Sequence, residues 1–240
     1  MTPNHNGKVP VPTLERLATY LRFLIELEQS QVETISSAEV ERQTGVNAAQ
    51  FRKDLSYFGE FGRPGVGYNV QELQSRIAKI LKIDREQRLI LVGAGNLGSA
   101  LVGYPGLNEH GFNLVAVFDN NSSKVGSQLR GLEIQDMEGI RTKNIALQAR
   151  IAILAVPAPA AQNVVDRLVD AGIAAILNFA PVMLRVPNHV FVRNVSFVQE
   201  LAVLSYHLSG DKLLATEGGK RSGDFSAEMA AFHSEMTRTN

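Results

Sequence analysis

An apolar run, Leu89-Ile90-Leu91-Val92, leads directly into Gly93-Ala94-Gly95-Asn96-Leu97-Gly98, and a helix-like segment opens at Ser99-Ala100-Leu101. Strand, tight glycine turn and helix form the context in which a G-x-G-x-x-G spacing carries physical meaning. Such glycines let main-chain amides approach a pyrophosphate at a helix N-terminus, where the helix dipole favours negative charge. The turn predicts an α/β Rossmann domain with Gly93, Ala94, Gly95, Asn96, Leu97 and Gly98 as its phosphate loop. Roughly ninety residues precede it, and what they do decides what the nucleotide is for.

From residue 88 onward apolar strands are expected at 88–92, 113–118, 150–156, 173–178 and about 190–193, with helical stretches at 97–108 and 158–171. Alternation of this kind implies a parallel, doubly wound sheet. Asp119 closes the second strand about twenty residues beyond the last glycine, where a carboxylate holds the adenosine ribose hydroxyls. That carboxylate would repel a 2′-phosphate, which favours NAD(H) over NADP(H). Lys124 is a nearby cation acting the other way, and it counts among the expected cofactor contacts. Ligands in such sheets sit beyond the carboxyl ends of strands. Val156-Pro157 and Asn178-Phe179 end two of the strands and are candidates for the nicotinamide side.

Composition narrows the function. The chain has 240 residues, enough for two modest domains, with 24 basic against 24 acidic side chains. Absence of cysteine excludes disulfides, thiol switches and cysteine-held metals, so redox sensitivity must come from a bound cofactor; no metal site is expected. No stretch approaches the ~18 apolar residues of a membrane span, and no signal-type run opens the chain, which predicts a cytoplasmic protein. Hydride transfer to a carbonyl needs an acid or base beside the nicotinamide. None of the five histidines closes a core strand, and no tyrosine is followed four residues later by lysine, so no catalytic residue is expected.

The first 85 residues hold 11 basic and 10 acidic side chains, so any nucleic-acid contact must be a local patch. Thr13 is placed to cap a helix over Leu14 to Leu27, and Ser36-Ser37-Ala38-Glu39 resembles a capping box for a helix ended by Gly45. Asn47 can cap a third helix, Ala48 to about Phe58. Glycines at 59, 62, 65 and 67 form a hairpin, and a fourth helix spans Val70 to Leu81. Three short helices and a glycine-rich hairpin match a winged helix-turn-helix. The third helix presents Gln50, Arg52, Lys53, Ser56 and Tyr57 to DNA while Phe51, Leu55 and Phe58 face the core; Arg63 sits in the wing. Past the sheet, a helix over 195–208 is apolar almost all round, which calls for a subunit contact. The polar segment 211–240 reads as a disordered tail.

Phe51-Arg52-Lys53-Asp54-Leu55-Ser56-Tyr57-Phe58-Gly59, Gly65-Val66-Gly67-Tyr68, the 93–98 turn and Asn178-Phe179-Ala180-Pro181 together resemble the Rex family of redox-sensing transcriptional repressors, from about residue 14 to 208. The resemblance implies a homodimer on a palindromic operator, released from DNA by NADH, with NAD⁺ competing weakly or favouring the DNA-bound form. It implies that Arg52 and Lys53 contact DNA, that Gly95 to Gly98 hold the pyrophosphate and Asp119 the ribose, and that Tyr104 and Phe197 border the nicotinamide at the subunit interface. It also implies that helix 195–208 is domain-swapped into the partner.

Two positions depart from that family. Its wing arginine is replaced by Pro64, with Arg63 one residue earlier, and the aspartate that pairs with Arg22 is replaced by Ser196. The domain expectation is a winged helix over 1–85, a Rossmann domain over 86–194, a swapped helix over 195–210 and the tail. Other readings of the residues are a small NAD-dependent oxidoreductase with an accessory helical domain, and a nucleotide-gated protein-interaction module.

Overall fold

The computed structural model describes residues 9–62 and 65–214. Helix α1 (Val11–Gln29) starts on Pro10 with Pro12 in its first turn. Proline is preorganised for a helix start and lacks the amide that would go unpaired there. The helix therefore begins earlier than a Thr13 cap would place it. Thr13 lies buried inside the first turn, and its hydroxyl donates to Asp54 Oδ1 at 3.2 Å.

Strand β1 (Thr34–Ile35) precedes α2 (Ser37–Thr44) and α3 (Ala48–Ser56). The capping box forms as its sequence requires: Ser36 Oγ accepts from the Glu39 amide and the Glu39 carboxylate accepts from the Ser36 amide. Gly45 ends α2 at φ +71°, and Asn47 caps α3 through the Ala49 amide at 2.8 Å. Helix α3 stops at Ser56, short of Phe58, because the Phe58 amide turns back onto Leu55 O and Gly59 follows at φ +115°. Strand β2 (Tyr68–Asn69) pairs antiparallel with β1, and Asn69 caps α4 (Val70–Leu81). Leu17, Tyr20, Leu24, Val40, Phe51 and Ile77 belong to one core. The Phe51 ring meets Tyr20 and Tyr68 edge-on at 4.9 and 5.2 Å between centroids.

The α/β part runs β3 (Gln87–Val92), α5 (Asn96–Val102), α6 (Gly106–Glu109), β4 (Phe112–Asp119), β5 (Gln128–Leu129), β6 (Leu132–Asp136), α7 (Ile140–Leu147), β7 (Ile151–Leu154), α8 (Ala158–Asp170), β8 (Ala175–Asn178) and β9 (Phe191–Asn194). The expected helix 97–108 is two pieces, since Gly103 ends α5 and Pro105 opens α6. The strand order is β5-β6-β4-β3-β7-β8-β9, parallel apart from the short β5–β6 hairpin. The direction of winding reverses between β3 and β7, which is where such sheets open a ligand crevice. Ile90 and Val92 face one core, and Leu89 and Leu91 face another across the sheet. Burial on both faces explains why these strands read as unbroken apolar runs.

One compact unit ends at Asn194, and α9 (Phe197–Leu214) lies in the next. The helix starts two residues later than expected, because Ser196 Oγ accepts from the Gln199 amide and acts as its cap. It also continues past 208 and 210, so the first residues of the expected tail are helical; residues 215–240 lie outside those described. Phe197, Val198, Leu201, Leu204, Tyr206 and Leu208 of α9 are all exposed in the single chain. No helix among the described residues is long and apolar enough to cross a membrane.

Asp54, on α3, is fully buried. Arg16 holds it through Nε and Nη2, both at 2.6 Å, and Tyr20 and Gln50 donate to it at 2.9 and 2.8 Å. Burial by itself would raise the Asp54 carboxyl, but the hydrogen bonds from Arg16, Gln50 and Tyr20 outweigh it and hold the group below its usual range. Burial and the bond to Asp54 push the Tyr20 hydroxyl up, so it stays protonated and donates. The stability Asp54 contributes is therefore present above the unfolded carboxyl value of about 3.9 and lost as pH falls through the lower folded value. Asp54→Asn is expected to remove about 3 kcal/mol at pH 7 by leaving Arg16 without its counter-charge. Urea midpoints from pH 7 to pH 2 should show the gap to wild type shrinking on the acid side.

Candidate nucleotide site and nucleic-acid interface

Each glycine of the 93–98 turn answers a different local demand. Gly93 sits at φ +103°, and a Cβ there would stand 2.3 Å from Ala155 O on the neighbouring strand end. A Cβ on Gly98 would stand 1.9 Å from Gly93 O, so this glycine lets α5 lie against β3. Gly95 meets nothing within 4 Å and faces open space. Turn, close backbone approach and helix–strand packing are the three glycine roles of a dinucleotide loop.

Asp119, at the end of β4, locks this turn. Its Oδ2 accepts from the Ala94 amide at 2.8 Å, and its Oδ1 accepts from the Asn121 amide at 2.9 Å. Lys124 Nζ stands 3.6 Å from Oδ2 and donates to Ala94 O at 3.2 Å. A cavity of about 260 Å³ opens here, lined by Gly93, Gly95, Asp119, Lys124, Val156 and Pro157 among others. The structure thus brings the glycine turn, the acidic strand end and the Val156-Pro157 strand end to one place.

Other expected residues lie elsewhere. Asn178 is fully buried at the end of β8; it donates to Ala180 O, Val182 O and Asn194 Oδ1 and accepts from the Ala180 amide. Its amide shapes the Asn178–Val182 turn that carries Phe179. Tyr104 is exposed beside Arg22, on a second, apolar cavity of about 470 Å³. Phe197 is the first residue of α9 and is exposed. Among the described residues no cluster of acidic or histidine side chains could hold a metal.

On α3, Arg52, Lys53 and Ser56 share the exposed face, with Tyr57 half-buried at its end. The Arg52 guanidinium is steadied by Ser37 Oγ at 2.7 Å, and the Ser56 hydroxyl donates to Lys53 O. Gln50 donates to Asp54, so its amide nitrogen serves the protein interior. Arg63 lies outside the described residues. Sequence reasoning assigned Asp54 no structural role. Only the long-range partners Thr13, Arg16 and Tyr20 reveal it, although their spacing along one face of α1 was a usable signal.

A family model described as "CoA binding domain" matches residues 84–182, and one described as "Putative DNA-binding protein N-terminus" matches residues 8–56. A redox-sensing transcriptional repressor Rex of Pelotomaculum thermopropionicum is 48% identical over 201 residues, 84% of this chain and 94% of the relative. The Rex of Syntrophomonas wolfei is 45% identical over 84% of this chain and 96% of its own length. The chain belongs to the Rex family. A solved Rex-family repressor, RSP, superposes with a TM-score of 0.81 at 39% identity, over 89% of this chain and all of RSP. RSP has also been solved with NADH, and with NAD⁺ and operator DNA.

The glycine geometry predicts unequal structural costs of substitution along the turn. Gly98→Ala is expected to lower stability by about 2 kcal/mol, because α5 must move off β3. Gly95→Ala meets open space and should leave the melting curve in place. Thermal denaturation of the two variants side by side checks both.

Proposed function

We propose that this chain is an NADH-responsive transcriptional repressor that binds operator DNA as a homodimer in the cytoplasm and leaves it when NADH binds. The observation that carries the reading is the joining, in one Rex-family chain, of an exposed basic face on α3 with the locked Gly93–Asp119 nucleotide turn. Arg52 and Lys53 reach base edges or phosphates from α3, Ser56 and Tyr57 flank them, and Gln50 supports the helix from within. Main-chain amides of Gly95 to Gly98 hold the pyrophosphate, and Asp119 holds the adenosine ribose with Lys124 beside it. Val156 and Pro157 line the far side, and the Asn178–Phe179 turn closes the neighbouring strand on the nicotinamide side.

The cavity encloses about 260 Å³, below the roughly 300–1,000 Å³ of a complete ligand pocket. The nicotinamide half therefore needs further cover, which Tyr104 and Phe197 supply at the subunit interface in this reading. Helix α9, apolar almost all round up to Leu208 and exposed there, supports a homodimer, since a face of that kind is stable only when covered. A two-fold dimer must set its two α3 helices about 34 Å, or a multiple of it, apart along DNA, and this matches a palindromic operator.

NADH releases the operator if it binds the DNA-incompetent arrangement better; a 100-fold effect needs ~2.7 kcal/mol of coupling. Reduced nicotinamide is neutral and the oxidised ring is cationic, so burial against Tyr104 and Phe197 penalises NAD⁺ by desolvation. That penalty outweighs a cation–π attraction of ~0.5–2 kcal/mol.

An operator gel shift titrated with NADH at fixed NAD⁺ and fixed salt tests the reading; retention of the shift at saturating NADH would sink it. Arg52→Ala and Lys53→Ala should each weaken operator binding by at least tenfold, a loss of about 1.4 kcal/mol, and leave NADH affinity unchanged. Phe197→Ala should narrow the NADH-to-NAD⁺ affinity ratio, measured by fluorescence and calorimetric titration. An unchanged ratio would remove Phe197 from redox discrimination.

A further inference from the structure

We propose that Arg76, on α4, is the positioning residue that sets the wing for DNA; the inference rests on the repressor reading above. The chain leaves α3 at Ser56 and returns at β2, and the two limbs between are held in different ways. The returning limb is fixed by strand pairing, with Ile35 opposite Tyr68 and Thr34 opposite Asn69. It is also clamped at Gly67, where a Cβ would stand 2.6 Å from Ile35 O. The outgoing limb, residues 57–62, belongs to no strand.

Arg76 adds a polar fixture to that limb. Nη1 donates to Glu60 O at 3.0 Å, and the guanidinium carbon lies 5.2 Å over the Phe61 ring. Nη2 stands 2.7 Å from Glu72 Oε1, one turn earlier on α4, which orients the planar group toward the limb. One side chain thus grips a main-chain carbonyl and a ring at successive residues, a combination that a compact lysine ammonium reproduces only in part. A cavity of about 450 Å³ lies between wing base and α4, with Arg76, Phe61 and Gly67 in its wall. Phe58 and Phe61 pack against the winged-helix core, and the Arg76 grip fixes the main chain at Glu60 beside them. Gly62 transmits the setting to the returning limb: at φ +75°, a Cβ there would stand 2.8 Å from Gly67 O.

The test uses the full chain and a DNA duplex that the wild type selects from a random pool, with anisotropy titrations at fixed salt and without NADH. Arg76→Ala should weaken binding about tenfold, since it removes a charge-assisted hydrogen bond and a cation–π interaction together. Phe61→Leu, which keeps every charge, should weaken it about threefold, and the double variant should bind no worse than Arg76→Ala alone. Arg76→Lys should recover the affinity only in part, and all four proteins should bind NADH equally. Hydroxyl-radical footprints of Arg76→Ala should lose the protection that the wings give while keeping the two half-site segments that the α3 helices cover. Wild-type affinity in Arg76→Ala overturns the proposal. So do additive losses in the double variant, which would make Arg76 a phosphate contact in its own right. Failure of the wild type to select any duplex overturns the repressor reading, and this inference falls with it.

Discussion

A carboxylate with no solvent exposure folds only if its lone pairs are filled and its charge is matched. Asp54 meets that demand with Thr13, Arg16 and Tyr20 from α1 and Gln50 from its own helix. The arrangement fixes α3 against α1 in rotation as well as distance, since a turn of α3 by one residue would break several directional bonds at once. That rotation decides which side chains point outward. Arg52, Lys53 and Ser56 are exposed because Phe51, Asp54 and Leu55 are not. In the repressor reading, the DNA-facing surface is set by polar bonds that face the opposite way.

The nucleotide turn follows the same logic with different chemistry. Asp119 accepts from the Ala94 amide before any ligand is considered, so the acid that closes β4 also holds the loop. Lys124 reaches both the carboxylate and Ala94 O, which places a positive charge within the loop. Gly93 and Gly98 are required by backbone contacts, and Gly95 is free of them. A loop preorganised this way loses little further entropy when a ligand arrives, and ordering cost is a main deduction from binding affinity.

Legibility in the sequence followed the range of the interactions. The Ser36 capping box, the Asn47 cap and the span of α4 were readable because their determinants lie within four residues. The glycine turn was readable with its acid because spacing alone defines them. The β5–β6 hairpin and α7 went unread, although Gly126 precedes the hairpin and Gly131 lies in its turn, both at positive φ, and Leu132 and Ile134 alternate. Strands of two and five residues carry too little periodicity to stand out. The Thr13 cap was misplaced because Pro10 and Pro12 take the helix start, while the threonine answers a partner 41 residues away. No local rule contains that information.

Magnitudes also decide where a redox signal can be carried. Arg193 on β9 pairs with Glu15 on α1, beside the Arg16 that holds α3, and both side chains are about half exposed. An exposed pair of that kind is worth at most about 1 kcal/mol. Ser196 caps α9 but brings no charge to the position where the family resemblance places an aspartate. Neither feature reaches the ~2.7 kcal/mol that a 100-fold response to NADH demands. The apolar face of α9 does: Phe197, Val198, Leu201, Leu204, Tyr206 and Leu208 are each more than half exposed in the single chain. Burying one such aliphatic side chain contributes about 1.5–3 kcal/mol. A change of one or two of these residues between covered and uncovered states is sufficient for the whole response. In the repressor reading the signal therefore resides in how α9 is packed, and the surface ion pair adjusts it.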